Sequence, residues 1–166
     1  AGARLAVRVA APPAGGDRVP EPYRRLRAKV EAHPGGAELL AAVERHREEI
    51  VHLVNHRRPV ALAWHRARGP ALLATLLNTI RAGGEEIPAA VDGVASDAAL
   101  ERMIVALAAH GSPALRTAID EWRAALLEAV RGSADLDQAL EKLDAAAPGR
   151  MAAATERQPL AVGSGR

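Results

Sequence analysis

The chain has 166 residues, enough to bury the core of one domain, and it carries no Cys and no Phe, one Tyr and two Trp. Without thiols, disulfides, thiolate metal sites and a cysteine nucleophile are excluded. The net charge of +2 hides an asymmetry: residues 1–83 hold 14 Lys/Arg against 7 Asp/Glu, a balance of +7, while residues 84–166 hold 8 against 13, a balance of −5, so the two halves either neutralise each other or the first attracts an anionic partner.

Ala and Leu dominate the apolar residues, and both favour helices whose axes approach closely. Residues 4–9, RLAVRV, alternate with the period of a half-buried strand. The Pro/Gly-rich stretch after them permits neither pairing nor helix, so residues 1–21 read as a strand and a linker. Residues 22–32 place Tyr23, Leu26 and Val30 at helical spacing, and HPGG ends that helix. Residues 37–57 form the longest predicted helix, with Leu39, Leu40, Val43, Ile50, Leu53 and Val54 along one face; Pro59 terminates it.

Residues 60–64, VALAW, alternate large and small side chains and read as a second strand. HRARG follows as a loop, and Pro70 opens a helix to about residue 81 bearing Leu72, Leu73, Leu76, Leu77 and Ile80. GGEEIPAAVDGV is a connector. Ser96 or Asp97 then caps a helix carrying Leu100, Met103, Ile104 and Leu107. Ser112 and Pro113 open a second one, closed by Gly132, and Ser133 starts a third through Leu136, Leu140 and Leu143. Short connections between these three imply antiparallel packing.

The expected fold is therefore mainly α: a single-domain bundle of about six helices at residues 22–147, with one or two short strands at 4–9 and 60–64, and a flexible tail at 148–166. No apolar run approaches the roughly 18–20 residues that span a bilayer, and the N-terminus lacks a signal-peptide layout, so a cytoplasmic protein with no membrane contact is expected. An isolated strand pair is marginal in water, and the chain begins at Ala1 without Met; both features suggest a piece of a larger protein or assembly.

Residues 44–70, ERHREEIVHLVNHRRPVALAWHRARGP, contain four of the six histidines. His52 and His56 stand four apart, which brings two imidazoles onto one helix face as in helical zinc sites, with Glu48 and Glu49 one turn back. At 100° per residue, however, His52, His56, Glu48 and Arg45 lie opposite the Val43, Ile50 and Val54 stripe. An outer face offers neither a third ligand nor a dry cavity. No metal is expected, His52, His56 and Glu49 being the residues that would serve one, and pairs such as Glu48 with His52 account for the cluster. His46 sits at the edge of the apolar stripe.

The HRARG loop, leaving a strand and entering a helix, would present backbone N–H groups and the positive end of a helix dipole beside His65, Arg66 and Arg68. It lacks the glycine spacing of a dinucleotide fingerprint and the GK[ST] of a P-loop. Pairing with the acidic half, at Glu85 and Glu86, is the plainer explanation. YRRLRAK at 23–29 could join Arg57, Arg58, Arg66 and Arg68 in one basic surface for nucleic acid, but the basic stretches hold a single aromatic and supply no stacking platform. Ser96, Ser112 and Ser133 are committed as caps, and the pairs Asp135 with Asp137 and Glu85 with Glu86 sit at a helix start and in a connector, so neither a nucleophile nor an acid/base pair emerges.

The expected function is a protein-interaction or scaffold module whose contact surface runs from Arg45 to Arg68. His65, Arg66, Arg68, Arg57 and Arg58 would supply orientation by charge, and Trp64 a buried anchor. The competing expectation is an anion- or phosphate-binding domain, enzymatic or nucleic-acid-binding, that uses HRARG with His65 as acid or base. No cofactor is expected, the partner being another protein or the parent protein's other domains.

Overall fold

The structure is a computed structural model that describes residues 19–149. The strand expected at 4–9, and the tail from residue 150 onward, lie outside the described residues. Within them the order is α1 (Glu21–Glu31), α2 (Pro34–His56), α3 (Arg58–Arg66), α4 (Gly69–Arg81), β1 (Ala90–Val91), β2 (Val94–Ala95), α5 (Ser96–His110), α6 (Pro113–Val130) and α7 (Leu136–Ala146). The mainly α bundle with short strands is thus observed, and no described helix is long and apolar enough to cross a membrane.

Five of these helices, α1, α2, α3, α4 and α6, carry Pro in their first turn. Proline there loses no hydrogen bond and has its φ already set, so residues that look like breakers act as starters. HPGG is such a case: it ends α1 and at once begins α2, with only Ala32 and His33 between them. A Cβ at Gly36 would lie 2.1 Å from the Val30 carbonyl oxygen, which explains why the turn needs glycine there.

The strand expected at 60–64 is instead the body of α3. Arg57 O accepts from Val60 N at 3.0 Å and Ala61 N at 2.9 Å, closing a helical turn around Pro59. Val60 is completely buried and Ala67, two helical turns on, nearly so, whereas Leu62, which would share the face of Val60 in a strand, is 41% exposed. A five-residue run satisfies both periods, and the missing arbiter was a strand partner, which the described residues do not provide. The two strands that do form make a hairpin, with Ala90 opposite Ala95 and Val91 opposite Val94. Asp92 and Gly93 turn it with φ of 48° and 78°, the positive pair that a tight hairpin demands.

Two cores share α2. Its N-terminal half supplies Ala42 to a cluster with Trp122, Ala125, Ala129, Leu140 and Leu143 of α6 and α7. Its C-terminal half supplies Leu53 to a second cluster with Val60 and Leu115, flanked by Met103 and Leu107 of α5. α4 packs beside α1, where Arg25 donates to Ile80 O at 3.1 Å. α5, α6 and α7 are successive neighbours, and the Arg123–Glu101 ion pair at 3.2 Å fits the antiparallel course expected of α5 and α6.

Polar ties fasten these layers. Asp144 on α7 accepts from Gly35 N at 2.8 Å and pairs with His33 Nδ1 at 2.8 Å, so a carboxylate from another helix caps the start of α2. Glu49 on α2 accepts from Ser112 N at 2.5 Å and Ser112 Oγ at 2.8 Å, while Ser112 Oγ itself accepts from Leu115 N and caps α6. The Ser112 backbone N–H holds the Glu49 carboxyl below the usual carboxylate range, against the opposing effect of burial.

Candidate functional site

The charge asymmetry has a local origin: residues 50–84 contain no Asp or Glu. Folding turns that stretch into the end of α2, all of α3 and all of α4. α3 and α5 run antiparallel, because Arg102 donates to Arg66 O at 3.2 Å near one end and Arg57 Nε donates to His110 Nδ1 at 3.5 Å near the other. Their inner faces meet in the second core; their outer faces leave an open groove of about 1140 Å³.

Pro59, Ala63, Ala98, Val105, Ala106 and Ala109 give this groove its apolar lining. Val105 is 49% exposed although nothing polar requires it at the surface. His65, Arg66, Arg68 and Arg102 gather at one end and His110 at the other, with Glu101 the only carboxylate among the lining residues. Glu101 already faces Arg123. Among the described residues Arg57, Arg58, Arg66, Arg68 and Arg102 enter no ion pair with a carboxylate.

The cations of α1 other than Arg24 are paired. In the YRRLRAK segment, Arg25 pairs with Glu21, Arg27 with Glu31 at 2.8 Å, and Lys29 with Glu85 and with Asp137 at 3.0 Å. The Glu85 hydrogen bond raises the Lys29 ammonium above its ordinary value despite desolvation. Glu85 therefore serves α1 and not HRARG.

Of the expected site residues, His65, Arg66 and Arg68 line the groove, Arg57 reaches it through His110, and Arg58 is exposed at the start of α3. Trp64 is not among the lining residues. Its indole lies on Gly69, where a Cβ would meet the ring at 2.2 Å, and its buried Nε1 has no hydrogen-bond partner. HRARG is no loop between strand and helix: His65 and Arg66 finish α3, and Arg68 takes φ of 56° to start α4. Pro70 contributes no N–H at the start of α4, which removes one of the backbone donors an anion site would use.

The His52 and His56 rings are exposed, with centroids 4.9 Å apart, and Glu49 is taken up by Ser112. Among the described residues no group of three or more His, Asp or Glu is placed to hold a metal. Sequence reasoning missed Arg102, Val105 and His110. The available signal was the near-unbroken apolar run from Met103 to Ala109, wider than one buried stripe needs, which marks a helix with a second apolar face. No family model, no curated protein and no solved structure matches the chain.

Proposed function

We propose that this chain is a protein-interaction module of a larger protein or assembly, and that it holds an acidic partner by the surface built on α3 and α5. The observation that carries the reading is the set of arginines at the two ends of α3, Arg57, Arg58, Arg66 and Arg68, that enter no ion pair among the described residues beside an exposed apolar groove. A domain that needed these charges only for solubility would gain nothing from flanking a groove with them, whereas a partner gains orientation from the charges and affinity from the apolar floor.

The test compares the full chain with its Arg58→Glu/Arg66→Glu variant as baits in extract of the source organism. A stoichiometric protein held by the chain at moderate salt and lost by the variant supports the reading; identical proteins on both baits overturn it. Titration with inorganic phosphate tests the anion-binding alternative. Binding abolished by Arg66→Ala/Arg68→Ala, with no protein partner, would replace the proposal.

A further inference from the structure

We infer that the α3–α5 groove receives an acidic amphipathic α-helix, whose apolar stripe lies along the trough and whose carboxylates meet the cations at its two ends. The inference rests on the reading of this surface as a protein-contact face and specifies what that face takes. Its floor consists of Ala63, Ala98, Ala106 and Ala109 with Val105 and Pro59, and such small side chains let a third helix axis approach two others. Neither wall is a sheet edge: α3 and α5 satisfy their backbone groups internally, so an extended peptide would lie there with its own N–H and C=O groups unpaired. A helix brings its backbone already satisfied. A polyproline segment would need aromatic rails, and no aromatic ring other than histidine lines the trough.

Charge fixes the rest. Arg102 and His110 are eight residues apart on α5, roughly 12 Å along the axis. The occupant should therefore show acidic residues about two turns apart, bracketing apolar residues at i, i+3, i+4 and i+7. With Arg66 and Arg68 joining Arg102, one end of the trough is the more cationic.

The probe is a fluorescein-labelled, alanine-based helical peptide with Leu at i, i+3, i+4 and i+7 and Glu in the turns before and after them. Its controls are a Glu→Gln analogue and a peptide of the same composition interrupted by Pro. Anisotropy against the full chain should report binding of the first peptide with a rise in its helicity by circular dichroism. The Gln analogue, and the chain variants Val105→Asp and Ala109→Trp, should each weaken it about tenfold. Both substitutions start from exposed positions, and circular dichroism checks that each variant stays folded. No binding, equal binding of the Pro-interrupted peptide, or unchanged binding by both trough variants overturns the helix occupant. If Arg58→Glu/Arg66→Glu still releases a captured protein, the acidic contact face survives that result; if it does not, both fall together.

Discussion

The reassignment of residues 60–64 from strand to α3 makes a prediction with opposite outcomes for the two geometries. In a strand, Val60, Leu62 and Trp64 share a face, so truncating Val60 or Leu62 should cost about the same. In α3, Val60 is fully buried in the second core while Leu62 is 41% exposed. Val60→Ala removes two methyl groups, about 1.6 kcal/mol of transfer free energy, and the residual cavity adds about 1 kcal/mol. Alanine's better helix propensity returns about 0.5 kcal/mol, leaving a net loss of about 2 kcal/mol. Leu62→Ala removes three carbons that are only partly buried, about 1.4 kcal/mol by the same reckoning, leaves no enclosed cavity and gains about 0.2 kcal/mol of propensity, so its cost stays at about 1 kcal/mol, half that of Val60→Ala. Urea unfolding followed by circular dichroism, with the slope held constant across the variants, measures both. A Leu62→Ala loss equal to that of Val60→Ala would refute the helical assignment and the groove built upon it.

Replacing Glu49 by Gln should cost about 1–2 kcal/mol at neutral pH, the worth of a charge-assisted hydrogen bond to Ser112. Because the folded-state carboxyl titrates below its unfolded value, this stabilisation is present above the ordinary carboxylate range and lost as pH falls through the depressed folded value; wild type and Glu49→Gln should converge in acid-unfolding curves there. Lys29→Met should return the Asp137 carboxyl, held low chiefly by its Lys29 hydrogen bond, toward its ordinary titration, read by carboxyl NMR shifts. An unmoved Asp137 would show that the tie is not made in solution. Gly69→Ala should displace the Trp64 indole from the start of α4 and lower the melting temperature, with a shift in tryptophan emission as the local reporter. Unaltered emission would mean that the ring does not lie on Gly69.

Much of the bundle was legible because its signals are local. Ser112 accepts from a backbone N–H at the start of α6, and Leu136, Leu140 and Leu143 are all buried, as periodicity required; the other expected caps differ, since Asp135 and not Ser133 caps α7, and α5 starts without a side-chain cap while Ser96 donates to Pro88 O. Proline misled in one direction, since the same ring that stops α2 also starts α3, and five residues could not decide what followed. The Asp92–Gly93 turn lay inside a segment passed over as a connector, although that dipeptide is a strong hairpin signal. Half of the candidate site was visible: His65, Arg66 and Arg68 announce themselves by charge. Arg102, Val105 and His110 did not, because their relevance depends on α5 lying antiparallel to α3, a relation between distant segments that no local pattern encodes.

The sharing of α2 between two cores has a consequence for how the molecule comes apart. With no proline or glycine interrupting it after Gly36, the helix joins a cluster that includes α7 to one that includes α3, and neither cluster can melt without withdrawing support from the rod that the other grips. Amide protons near the midpoint of α2 should therefore exchange with solvent only through complete unfolding. Whatever occupies the trough outside α3 and α5 would then slow exchange as far away as α7, so that binding at one end is felt as longevity at the other.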